Sequence, residues 1–188
     1  MSGVLLLRHG ETAGNALGRY IGSTDESLSA AGRAQVLRLR VPEVARVYVS
    51  PLKRCMETAR LVYPHLTPAP VAGLRECDFG AFENKSYLDL QGDARYQQWI
   101  DSGGTLPFPG GECRQAFVAR CAAAFLSLDL RADAAIVAHG GTLMALMSRF
   151  ALPRRDYFDF QTPCASGFWC CWDGQNLTGA RRLGGEQE

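Results

Sequence analysis

Three stretches of this chain are apolar without alternation and stop abruptly at polar residues. Val4-Leu5-Leu6-Leu7 ends at Arg8-His9-Gly10, Val47-Tyr48-Val49 ends at Ser50-Pro51, and Ala134-Ala135-Ile136-Val137-Ala138 ends at His139-Gly140-Gly141. Runs this short, with no polar face, suit strands covered on both sides. A strand covered on both sides implies helices above and below the sheet. The runs therefore predict an α/β fold with a mostly parallel central sheet.

The intervening segments carry helical patterns. Ser29 is placed to cap a helix over Ala30 to Leu39, with Val36 and Leu39 toward the core. Arg54 to Val62 reads as a second helix stopped by Pro64. Arg114 to Leu128 repeats Phe117, Val118, Cys121, Phe125 and Leu128 at helical spacing, and Thr142 to Phe150 ends before Pro153. Phe168 to Trp172 reads as a further strand, followed by an Asp173-Gly174 turn. Ser102 to Gly111 is rich in Gly and Pro and reads as a loop or lid, within a lid-like insertion expected around residues 76–112, or merely as a linker between helices. A chain of 188 residues predicts one domain over 1–188. It can bury about 70% of its unfolded surface without help from disulfides or metal.

Composition narrows the function classes. With 20 basic and 19 acidic residues the net charge is +1, too little to hold a nucleic acid or an anionic membrane through a bulk field. The seven cysteines include no C-x-x-C pair. Their odd number and the three histidines speak against a zinc site and a secreted disulfide framework. Free thiols in a reducing cytosol are the expectation. No apolar run reaches the ~18 residues of a membrane span. These readings predict a cytoplasmic protein without a metal.

In parallel α/β sheets, ligands sit beyond the carboxyl ends of the strands. Here those ends deliver Arg8 and His9, Ser50 followed by Arg54, and His139 followed by two glycines. Guanidinium forks match phosphate oxygens, and glycines at a helix start let backbone N–H groups approach an anion. No P-loop and no G-x-G-x-x-G run is present. Two histidines without metal ligands suggest a covalent mechanism, in which a neutral imidazole attacks phosphorus. A neighbouring arginine would hold its pKa down, and a hydrogen bond from its other nitrogen to a carbonyl would fix the tautomer. Two arginines and a second, protonated histidine would stabilise the transferring phosphoryl group. An alcohol leaving group needs a proton, for which Glu76, Asp78 and Glu83 are the candidates. His65 reads as structural.

The run Arg8-His9-Gly10-Glu11-Thr12, with Asn15 after it, resembles the signature of the histidine phosphatase superfamily, the phosphoglycerate-mutase-like group. Ser50-Pro51-Leu52-Lys53-Arg54 with Thr58-Ala59 resembles its second arginine motif. Leu74-Arg75-Glu76 with Phe79-Gly80 resembles its acid motif, and His139-Gly140-Gly141 its second histidine motif. The resemblance implies a three-layer α/β/α sandwich and a phosphomonoesterase that needs neither metal nor cofactor. His9 would become phosphohistidine, and Arg8, Arg54 and His139 would hold the phosphoryl group. Asn15 and the Gly140 N–H would be further phosphate donors. Glu76 would donate a proton and then activate water.

The mutases of the group are lengthened by an insertion between the acid motif and the second histidine, and no such insertion is read in this chain. Gly18-Arg19-Tyr20 with Thr24-Asp25, Tyr96-x-x-Trp99 and Pro109-Gly110-Gly111-Glu112 is most similar to the α-ribazole-5'-phosphate phosphatases of cobalamin nucleotide-loop assembly. That implies a small-molecule phosphate monoester as partner, with Tyr20, Phe82 and Trp99 in the leaving-group pocket, and is compatible with a homodimer. A broad-specificity phosphatase is the alternative. A mutase and a non-catalytic phosphate-binding protein are more distant ones. Two departures fall where that pocket is built. Phe82-Glu83-Asn84 replaces the family's common Trp-Glu-Gly, and Cys113 stands where Ser commonly follows Gly-Gly-Glu.

Overall fold

A computed structural model describes residues 1–183. The three apolar runs form neighbouring parallel strands: β1 (Ser2–Arg8), β2 (Arg46–Val49) and β4 (Ala134–Ala138), with β4 between the other two. The short β3 (Ala69–Pro70) extends the parallel side. β5 (Gly167–Trp172) and β6 (Leu177–Arg182) extend the other side, β5 antiparallel to both β1 and β6. The order is β3-β2-β4-β1-β5-β6. The predicted strand over Phe168 to Trp172 is present, but reversed relative to the central three.

Strand periodicity divides the core in two. Val4, Leu6, Ile136 and Ala138 face helices α5 (Arg114–Leu126) and α6 (Gly140–Phe150), packing on Phe117, Phe125, Leu143 and Met147. Leu5, Leu7, Val47, Val49 and Val137 face the other way, onto Cys55 and Ala59 of α3 (Lys53–Val62). Helix α2 (Ala30–Leu37) lies against α3. These are the three layers of an α/β/α sandwich.

Ser29 caps α2 by accepting the Gly32 N–H. No local side chain caps α3; Asp25 accepts the Lys53 N–H at 2.7 Å from outside the helix. The stretch 76–112 contains a 3-10 turn (Gly80–Phe82) and α4 (Ala94–Asp101), joined by loops. A four-residue helix, α1 (Ala13–Ala16), follows β1. No helix among the described residues is long and apolar enough to cross a membrane. All seven cysteines are free.

Candidate active site

Parallel neighbours end on the same edge, so β1, β2 and β4 bring His9, Ser50 and His139 together, and α3 adds Arg54. His9 is 3% exposed. Its Nδ1 lies 2.6 Å from the Gly10 carbonyl oxygen, which can only accept. The proton is therefore on Nδ1, and Nε2 keeps its lone pair. Gly10 is held in turn by α3, since its N–H donates to Thr58 Oγ1 at 3.0 Å while that hydroxyl donates to the Arg54 carbonyl. Burial, then the Arg54 and Arg8 charges, push the His9 pKa well below the usual histidine value, against the opposing pull of the Gly10 bond.

His139 is fully buried, with its ring centroid 5.2 Å from that of His9. Its Nδ1 accepts from Arg54 Nε at 3.2 Å, so its proton sits on Nε2 and points to Ser50 Oγ at 2.7 Å. Burial and then the charges of Arg54, His9 and Arg8 push its pKa well below the usual histidine value. The protonated second histidine expected from the sequence would therefore need the negative charge of a bound phosphoryl group to hold its proton beside two guanidiniums.

Arg54 has no exposed surface. Besides His139, it donates to the carbonyls of Thr24 (2.6 Å), Ile21 (3.2 Å) and Gly22 (2.9 Å). Four of its five N–H groups are thereby used, leaving one for a ligand. Arg8 donates from Nη1 to the Thr162 carbonyl at 2.6 Å, and its buried Nε has no partner among the described residues.

Glu76 reaches the same edge from the loop after a 3-10 turn (Ala72–Leu74). Oε1 accepts from the Cys77 N–H at 2.9 Å and Oε2 from the Gly141 N–H at 3.0 Å. Burial raises its pKa above the usual glutamate value, outweighing those two bonds and the charges of Arg54 and Arg8. A Cβ on Gly141 would lie 2.3 Å from Glu76 Oε1, and one on Gly140 would lie 3.2 Å from Arg8 Cζ. Two glycines open α6 because a carboxylate and a guanidinium press against its first turn. The Gly140 N–H, at the start of that turn, has no protein acceptor among the described residues.

The other two acid candidates are occupied locally. Asp78 is exposed and accepts the Gly80 N–H. Glu83 accepts three donors from Gly22 and Thr24. Asn15 closes the Thr12 capping box through its carbonyl oxygen, and its amide nitrogen has no acceptor among the described residues. Among those residues no group of three or more His, Cys, Asp and Glu is placed to hold a metal.

A cleft of about 450 Å³ opens beside Glu76, lined by Ser23, Arg75, Asp78, Gly110, Glu112 and Arg120, among others. Its walls mix charged side chains with Leu52 and glycine backbone and carry no aromatic residue; Tyr20, Phe82 and Trp99 are not among them. Phe82 has no exposed surface, so it cannot form part of a leaving-group pocket; it belongs to the core. Tyr96 and Phe108 pack on it, and the half-buried Tyr20 and Trp99 extend the same aromatic cluster, with Trp99 stacked on Phe108 at 5.0 Å. The cleft residue that sequence reasoning missed is Arg120. It donates to the carbonyls of Gly73, Arg75 and Glu76 and pairs with Glu112 at 2.7 Å, fixing the backbone that carries Glu76. Nothing in one sequence links position 120 to position 76.

The family model of the histidine phosphatase superfamily (branch 1) matches residues 4–181. The adenosylcobalamin/alpha-ribazole phosphatase of Salmonella typhimurium is 33% identical over 184 residues, covering 89% of this chain and 88% of the relative. An acid phosphatase of Mycobacterium tuberculosis is 33% identical, covering 87% and 83%. The crystal structure of phosphoglycerate mutase from Thermus thermophilus superposes with a TM-score of 0.78 at 31% identity, covering 98% of this chain and 99% of that one. With the two histidines, two arginines and a half-buried carboxyl gathered at one sheet edge, the chain belongs to the histidine phosphatase superfamily.

Proposed function

We propose that this chain hydrolyses small-molecule phosphate monoesters through a phosphohistidine at His9. The bond from His9 Nδ1 to the Gly10 carbonyl carries the reading, because it turns a neutral imidazole's lone pair outward as a nucleophile. Nε2 attacks phosphorus, and the ester P–O bond breaks with its electrons passing to the leaving oxygen. Glu76, whose raised pKa lets it keep a proton, gives that proton to the leaving oxygen. Water then attacks the phosphohistidine, the P–N electrons return to Nε2, and the Glu76 carboxylate takes the water's proton. Arg8 and Arg54 balance the charge on the transferring phosphoryl oxygens. The Gly140 N–H and the Asn15 amide are further donors. His139 fixes Arg54 by accepting its Nε–H. The 76–112 stretch covers the leaving-group side.

For the substrate, the named relative from Salmonella supports α-ribazole 5'-phosphate. The lack of an aromatic residue in the cleft's lining favours a second reading, a phosphatase of broad specificity, because no aromatic wall is presented to a benzimidazole. Phosphate release in EDTA from α-ribazole 5'-phosphate, 3-phosphoglycerate, sugar phosphates and p-nitrophenyl phosphate separates them. A kcat/KM at least about 100-fold higher for the ribazole ester, roughly 2.7 kcal/mol of discrimination, supports the first. Flat efficiency supports the second, and release from none overturns both.

A further inference from the structure

Glu83 is not needed by the chemistry above, yet it makes a dense set of contacts beside the site. Oε1 accepts from the Gly22 N–H (2.9 Å), the Thr24 N–H (2.9 Å) and Thr24 Oγ1 (2.8 Å), and Oε2 also lies 3.2 Å from the Gly22 nitrogen. The other face of the same loop receives Arg54, through the carbonyls of Ile21, Gly22 and Thr24. One carboxylate thus holds the N–H side of residues 22–24 while the arginine is held by their C=O side.

The loop has little room to adjust. A Cβ on Gly22 would lie 2.2 Å from the Cys77 carbonyl oxygen, so residues 21–24 press against the backbone beside Glu76. Glu83 is fixed as well. Phe82 before it is fully buried, and Asn84 after it has a φ of 64° and donates its N–H to the Tyr20 carbonyl.

We propose that Glu83 is a positioning residue that sets the Arg54 guanidinium by fixing the carbonyls of residues 21–24. It thereby couples the 76–112 stretch to the grip on the phosphoryl group. The inference rests on the phosphatase reading. Without the carboxylate the loop loses its fixed N–H partners, its carbonyls shift, and Arg54 shifts with them. Misplacement of about 1 Å at a positioned group can cost on the order of 100-fold in rate.

The test measures kcat/KM of wild type, Glu83→Ala, Glu83→Gln, Arg54→Ala and the double variant Glu83→Ala/Arg54→Ala. Two substrates are used: p-nitrophenyl phosphate and an alkyl phosphate. Glu83→Ala is expected to lose about 10- to 100-fold, and by the same factor on both esters, since grip and not proton donation is impaired. Glu83→Gln, which keeps one acceptor oxygen, should recover part of the loss and serves as the reading if the alanine variant does not fold. The double variant should be no slower than Arg54→Ala alone. Inorganic phosphate should bind Glu83→Ala more weakly, read as a smaller rise in Tm.

Additive losses would overturn the proposal, because Glu83 would then act independently of Arg54. A loss confined to the alkyl ester would overturn it by making Glu83 a proton donor. Unchanged kcat/KM in both Glu83 variants would overturn it too. A wild type that releases no phosphate from either ester would instead fail the phosphatase reading.

Discussion

His9 and His139 sit 5.2 Å apart as neutral rings with opposite tautomers. A carbonyl selects the Nδ1 proton of the first, and a guanidinium selects the Nε2 proton of the second. Only the first has a nitrogen to spare. His9→Ala should lower turnover by at least about 1,000-fold and leave the protein unlabelled by ³²P from substrate; labelling at another residue would relocate the nucleophile. Glu76→Gln should cost about 100-fold or more on alkyl esters and far less on p-nitrophenyl phosphate, whose leaving group needs no proton. The same variant should remove the alkaline limb of kcat/KM. That limb appears because a carboxyl with a raised pKa is lost as an acid when pH rises through it. A limb retained in Glu76→Gln would belong to another group.

At the level of elements, the sequence is most informative where a strand stops. Arg8, His9, Ser50 and His139 are legible as site residues because unbroken apolar runs end there. Helix ends are less legible. Gly140 and Gly141 read as a turn, but they are the first turn of α6, glycine being required by the close approach of Arg8 and Glu76. Helix α4 spans only about two turns, and its apolar face meets the core through just Tyr96 and Trp99, both partly buried, which makes it hard to tell from a loop. Phe82 reads as a pocket residue because aromatic type alone does not separate a ligand wall from a core cluster. Both family departures have local explanations. Asn84 occupies a left-handed φ of 64°, which Gly favours and Asn tolerates. Cys113 is the N-cap of α5, its sulfur accepting the Ala116 N–H at 3.4 Å. Sulfur is a weak acceptor, so Cys113→Ser should stabilise the fold by about 0.5–1 kcal/mol. A denaturant midpoint that stays put or falls would show that the thiol already suffices.

For the molecule as a whole, burying two neutral histidines makes stability depend on pH. Both have folded pKa values below the unfolded value of about 6.5. Their contribution is complete above about pH 6.5, and is lost as pH falls toward the folded values, because the unfolded chain then binds protons that the native one refuses. The limiting slope is about 1.4 kcal/mol per pH unit for each. Glu76 acts oppositely: its raised folded pKa makes its burial cost grow as pH rises above about 4.3. Melting curves should therefore be nearly constant from about pH 8 to 7 and drop from about 6.5 to 5; equal Tm at both ends of that range would contradict the buried neutral pair.

Strand order carries one more consequence. In the described sheet β1 pairs with β4 and β5, and β2 with β3 and β4. The strand that joins the two halves spans Ala134–Ala138. A ribosome that has emitted the chain as far as Leu130 has released Arg8, His9, Arg54 and Glu76, but no partner that could align β1 with β2. The sheet edge that carries His9 and Arg54 therefore depends on residues far along the chain: β4 joins β1 to β2, and the later Thr162 and Ser166 carbonyls hold Arg8.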